Sequence, residues 1–254
     1  MMNKTYKEMS LFLLIAFLLP LISIILQSII TNTLIKFVLY GIEAASPSIA
    51  ATIVIMINKR CKDFFKNMFH SRHLVIAIFL PVIISCVTML LAKLIFCFWF
   101  RTDFILYSIS FTQLIVILWA FIAEEIGWRG YLEPLLEKKI FVKSMVPFIV
   151  GTVWCLWHYH YFLMNGIQVP IILFSIGCII ESYIYSFLMD CTNDNLISAM
   201  TYHFSWNLAV HIFAINPVDN NGNTFPYLIM TILEAFVLLI FLCHNKIYFR
   251  KEKH

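Results

Sequence analysis

The sequence predicts an all-α polytopic membrane protein, a bundle of about eight transmembrane helices. Three observations predict it. Of the 254 residues, 61% are hydrophobic and only 13% are charged, about half the charged share of a soluble domain. The apolar runs are continuous rather than alternating, which marks helical spans and not membrane strands. Lys and Arg are gathered into a few segments between those runs, as in a protein whose orientation they set. So little charge cannot cover so much apolar surface in water, so soluble, disordered and secreted disulfide-scaffold classes are excluded. The net charge of +4 follows the inter-span segments, so no nucleic-acid partner is expected. The seven cysteines are scattered and odd in number, without a C-x-x-C pair. They read as small buried hydrophobes and not as disulfides or a thiolate metal site.

About 20 apolar residues cross a bilayer, and the chain offers eight such runs: 11–30, 34–57, 74–99, 104–136, 145–164, 168–189, 195–214 and 226–245. The first follows Lys4 and Lys7, is too long for a signal-peptide core, and lacks a small-residue cleavage site, so it reads as a retained anchor. Basic residues fall in the N-terminal segment, in 58–73 (Lys59, Arg60, Lys62, Lys66, Arg72), in 137–143 (Lys138, Lys139, Lys143) and at the C-terminus (Lys246, Arg250, Lys251, Lys253). With eight spans, all four segments lie on the cytoplasmic side, together with both termini. The opposite side holds a single Arg and no Lys. The 190–194 turn is also inside although it carries Asp190 and Asp194; acidic residues weigh little in this rule. No repeat or linker divides the chain, so 1–254 reads as one integral-membrane domain, with 104–214 as its catalytic core.

Ionisable side chains inside spans are the candidate functional groups. Span four contains Ala-Glu-Glu-Ile-Gly-Trp-Arg-Gly-Tyr-Leu. Glu125 and Arg129 are i,i+4 and pair on one helical face. Glu124 lies about 100° around the helix, so it remains free for proton chemistry. The structural alternative is a cluster that reaches interfacial water. Span five carries Trp154 and His158, also i,i+4, whereas His160 points elsewhere and reads as structural. Span seven carries His203 and Asn207 on one face, with His211 a turn further on as a cavity-lining group; interhelical hydrogen bonding is the alternative. Glu124 and His158 are each 17 residues from position 141, and His203 follows the turn near 193. In a hairpin packing, these three groups share one depth, roughly 10–20 Å from the cytoplasmic side. Glu181 is a further buried carboxylate that could pair with Lys93, and Lys36 and Glu43 could face the interior; all rank below the three-helix set.

A carboxylate, imidazoles and an amide around a small aqueous cavity suit water activation. The carboxylate serves as general base, an imidazole orients the water, and His and Asn donors stabilise a tetrahedral oxyanion. Neither a G-x-S-x-G elbow nor an H-E-x-x-H helix occurs.

Glu124-Glu125-x-x-x-Arg129, aromatic-x-x-x-His at Trp154 and His158, and His203-x-x-x-Asn207 resemble the three motifs of the CPBP (CAAX protease and bacteriocin-processing, Abi) family, relatives of the type II CAAX prenyl endopeptidases. The resemblance covers roughly 104–214, and its one departure is Trp154, where the family usually has Phe. It implies an intramembrane endopeptidase in which Glu124 is the general base and His158 helps to hold the water. His203 and Asn207 stabilise the oxyanion, and Glu125, Arg129 and Trp154 support the site. Metal-free catalysis is preferred and no cofactor is expected. A zinc-dependent version would use Glu124, His158 and His203. The substrate implied is a membrane-associated peptide or protein, cleaved near the cytoplasmic leaflet. Richness in Ile, Phe, Asn and Lys hints at an AT-rich bacterial genome. This points to the bacterial cytoplasmic membrane and to peptide maturation or bacteriocin self-immunity rather than prenylated substrates. The competing classes are a non-catalytic immunity or scaffold protein and a proton-coupled transporter. The latter would show paired repeats with broken helices.

Overall fold

Span two breaks where its sequence says a helix is hard to continue. Pro47 has no N–H to donate and disfavours helical backbone just before it. The segment accordingly divides into α2 (Thr33–Ala44) and α3 (Ser46–Ile57), bent by 62°. The computed structural model describes residues 4–70, 72–139, 142–164 and 166–251. Lys253 lies outside the described residues, as do the side chains of Lys143, Lys246, Arg250 and Lys251. Every regular element among the described residues is helical. Around the bent pair lie α1 (Lys4–Ile29), α4 (Cys61–Met68) and α5 (Leu74–Phe100). Next come α6 (Phe111–Gly127), a π-helical turn (Trp128–Leu132) and α7 (Glu133–Glu137). The remainder comprises α8 (Val146–Trp157), α9 (Tyr159–Leu163), α10 (Ile171–Cys191), α11 (Leu196–Ile212) and α12 (Phe225–Lys251).

Helices occupy all eight expected runs, but the count of eight crossings is not reached. Five stretches are long and apolar enough to cross a membrane: Lys4–Ile29, Leu74–Phe100, Phe111–Glu137, Ile171–Cys191 and Phe225–Cys243. The bent α2–α3 pair makes six if it is one span. The fifth expected span is instead a 12-residue helix that stops at His158, whose backbone (φ −68°, ψ 1°) leaves the helical region before α9 begins. The seventh, α11, has only 17 residues. Span four starts later than residue 104. Ser110 Oγ accepts from the Gln113 amide (3.2 Å) and Gln113 Oε1 accepts from the Ser110 amide (2.9 Å), a reciprocal cap that fixes the helix start at Phe111. The residues before it run without helical structure, held by the Tyr107 N–H on the Ile212 carbonyl.

Large apolar side chains face outward along these helices, with Phe98 85% exposed. This is the surface of an integral membrane protein, where lipid rather than protein covers the apolar face. All seven cysteines are free thiols. Lys36 is exposed and does not join Glu43 inside. Glu43 is buried and accepts from Gln27 Nε2 at 2.8 Å.

α11 packs on α5 and α6, α3 packs on α1 and α6, and α10 packs on α8 and α12. Two glycines set the closest approaches. A Cβ at Gly127 would stand 2.4 Å from the Pro47 carbonyl carbon, and one at Gly151 would stand 2.9 Å from Cys178 O and Ile179 Cα. Backbone therefore meets α3 just past Glu124–Glu125, and α10 just before Trp154. Gly151→Val is expected to lower stability by about 1–3 kcal/mol, the usual effect of overpacking a tight contact. A drop in the unfolding midpoint of the detergent-purified protein checks this.

Candidate active site

Glu124 and Glu125 are neighbours with opposite commitments. Glu125 is fully buried, and its Oε1 accepts from Arg129 Nη1 at 3.3 Å and from His203 Nδ1 at 2.7 Å. The i,i+4 pair expected from sequence is present, and the histidine of α11 joins it. Arg129 sits in the π-helical turn, closed by the Glu133 N–H on the Trp128 carbonyl. Such insertions re-aim side chains within a helix. Its guanidinium lies 4.5 Å from the Trp154 ring centroid and 3.8 Å from that of Tyr185, and Nη2 donates to Ser182 Oγ at 3.3 Å. Desolvated cation–π stacking and the ion pair together hold this charge away from water.

Glu124 faces a cavity of about 650 Å³. Its Oε2 accepts from Trp154 Nε1 at 2.8 Å. Sequence reading assigned Trp154 a supporting role as an aromatic. Its contribution also includes the indole N–H, which a phenylalanine lacks. His158, His203 and Asn207 line the same cavity, as does His211. The His158 Nδ1 is 2.7 Å from the Trp154 carbonyl. A carbonyl only accepts, so in the neutral ring Nδ1 carries the proton and Nε2 keeps its lone pair. His203 is oriented in the same manner by Glu125. His160 is fully buried away from this cavity, with Nδ1 on the Trp157 carbonyl at 2.7 Å and its ring against Trp157.

The lining of the cavity runs from Glu124 toward the end of the bundle opposite the lysine-rich turn. Gln113, Val116, Ala120 and Glu124 form one face of α6 and line it from the helix start inward. From Gln113 to Glu124 the wall runs about 17 Å at 1.5 Å per residue. Its outer rim includes residues of the 166–169 and 216–218 segments. The rings of Trp154 and Tyr185 line its inner part beside Glu124. Arg129, stacked on both rings, belongs instead to a second cavity of about 380 Å³ shared with Arg60, Glu133 and Asp194. The sequence reading placed cleavage near the cytoplasmic leaflet because basic turns were its only depth marker.

Tyr185 and Ser182 were missed. Tyr185 stands between Trp154 (6.0 Å between centroids) and His203 (6.5 Å). The available signal was the run of polar-tipped residues Glu181, Ser182, Tyr185 and Ser186 in an otherwise apolar span. Glu181 does not pair with Lys93, whose ammonium instead lies 5.6 and 5.8 Å from the ring centroids of Phe96 and Tyr107.

Residues 106–209 match the family described as type II CAAX prenyl endopeptidase Rce1-like. Over these residues the chain is similar to the CAAX protease family. The CAAX-protease match begins in the lead-in to α6 and ends within α11, so it contains all seven candidate site residues. A protease is the activity that this family implies. Comparison with curated proteins gives no match. Among the described residues no group of three or more His, Cys, Asp and Glu side chains is arranged to hold a metal ion.

Proposed function

We propose that this chain is an intramembrane endopeptidase that hydrolyses peptide bonds of membrane-associated peptides or proteins with water activated by Glu124. The observation that carries this is the division of labour between adjacent carboxylates. Glu125 is neutralised by Arg129 and holds His203, while Glu124 faces a cavity shared with two imidazoles and an amide. Water held between Glu124 and the His158 Nε2 lone pair gives a proton to Glu124, and the resulting hydroxide attacks the scissile carbonyl carbon. A doubly protonated His203, its Nδ1–H on Glu125, donates through Nε2–H to the oxyanion together with the Asn207 amide. Collapse of the tetrahedral species breaks the C–N bond, and Glu124 returns the proton to the leaving amine. No cofactor takes part in this scheme. The protein resides in a bacterial cytoplasmic membrane with both termini inside, and peptide maturation or bacteriocin self-immunity is its proposed role. With that orientation, the cavity rim faces the non-cytoplasmic side.

The test is reconstitution in vesicles with a panel of membrane peptides, products being read by mass spectrometry with and without a metal chelator. Cleavage at discrete internal bonds, unchanged by chelation, is expected. An uncut panel would overturn the protease reading. Stoichiometric zinc whose removal abolishes cleavage would overturn the metal-free route.

A further inference from the structure

Glu181 on α10 is the buried charge that the proposed chemistry leaves unused. It is 4% exposed and lines the same cavity as Glu124. Among the described residues its carboxylate has no hydrogen bond or ion pair. The two buried Lys and Arg side chains among those residues are committed elsewhere, Arg129 to Glu125 and Lys93 over Phe96 and Tyr107. Glu234 of α12 is a second buried carboxyl group nearby, itself bound by Trp206 Nε1 at 2.7 Å. The cavity wall thus holds a buried carboxyl group that no Lys or Arg among the described residues pairs with directly. Buried carboxylates are stable only when neutralised or paired.

Resting on the protease reading, we infer that Glu181 is a specificity determinant that pairs with a basic side chain of the substrate. Cys178, Glu181 and Tyr185 form one stripe of α10 along the cavity. Tyr185 contacts the rings of Trp154 and His203. Glu181 lies one turn, about 6 Å, toward the rim from Tyr185. An extended peptide advances about 3.3 Å per residue, so the basic side chain belongs about two residues from the scissile bond. A lysine or arginine reaching Glu181 would supply the missing cation and fix the register of an otherwise apolar substrate.

The test uses binding, which does not require turnover. Full-length protein carrying Glu124→Gln is titrated with fluorescent apolar peptides in which one lysine is walked along the sequence. Each is paired with the same peptide bearing Nε-acetyllysine, which keeps the stem and removes the charge. At one register the lysine peptide is expected to bind about tenfold more tightly, the size of one charge-assisted hydrogen bond. Adding Glu181→Gln brings that ratio to about one, whereas Glu181→Asp, which retains the charge, keeps a preference. A ratio near one at every register, an unchanged ratio in Glu181→Gln, or loss of the preference in Glu181→Asp would each overturn the inference. A lysine preference in peptides that the Glu124-containing protein never cuts would sink the protease reading and leave this one standing. Cleavage without any lysine preference would do the reverse.

Discussion

Glu124→Gln is expected to reduce kcat by about 10²–10⁴-fold, the contribution of a positioned general base, with KM changed little. Glutamine keeps an oxygen that can accept from Trp154 Nε1, now at 2.8 Å, so the side chain has a reason to stay in place. It cannot take a proton from water. The substitution therefore separates base chemistry from architecture, which truncation to alanine would not do. Glu125→Gln makes the useful contrast. It removes the charge that holds Arg129 and His203, so stability should fall along with activity. Initial-rate kinetics on a cleaved peptide, together with the unfolding midpoints of both variants, decide the matter. Equal turnover by wild type and Glu124→Gln would remove Glu124 from the chemistry.

Arg129→Ala is expected to destabilise the protein by about 3–5 kcal/mol, because deleting one partner of a buried ion pair strands the other. The loss has several parts. The Glu125 carboxylate keeps only His203, Ser182 Oγ loses its donor, and the rings of Trp154 and Tyr185 lose the cation stacked between them. Since those rings also floor the cavity, the defect reaches Glu124 through Trp154. Replacing Arg129 and Glu125 together, by Met and Gln, should recover part of the stability, since no unpaired charge is then left inside. Denaturant titration of the variants in detergent reads the difference. An Arg129→Ala protein as stable as wild type would show that the ion pair is not structural.

Much of the site was legible because its interactions are local or are tied to depth. Glu125–Arg129 is an i,i+4 pair, so helical period alone predicts it. Trp154 with His158 and His203 with Asn207 share the same spacing, and the hairpin count about residue 141 put Glu124 and His158 at one level. The unseen features are those in which two distant helices choose each other. Tyr185 reaches His203, Ser186 donates to Glu133, and Ser182 accepts from Arg129. No periodicity within one helix encodes such a partner. The fold shows the same division. Apolar runs located each helical stretch, whereas the early stop of α8 at His158 and the bend at Pro47 interrupt stretches that composition alone counted as unbroken spans. The π-helical turn was also hidden, since it changes the backbone bonding after Glu124 without any unusual residue to announce it.

Arg129, Trp154 and Tyr185 stand between two cavities that approach each other from opposite ends of the bundle. A hydrolase that brings water deep into a bilayer risks becoming a conduit for protons. Here stacked aromatic rings line the inner part of the cavity, with a fixed guanidinium immediately behind them. Hydronium arriving from either direction meets a guanidinium that Glu125 and the rings keep in place. On the proposed protease reading, the same three side chains that support the candidate site would also insulate it, so that a hydrated reaction centre need not short-circuit the membrane.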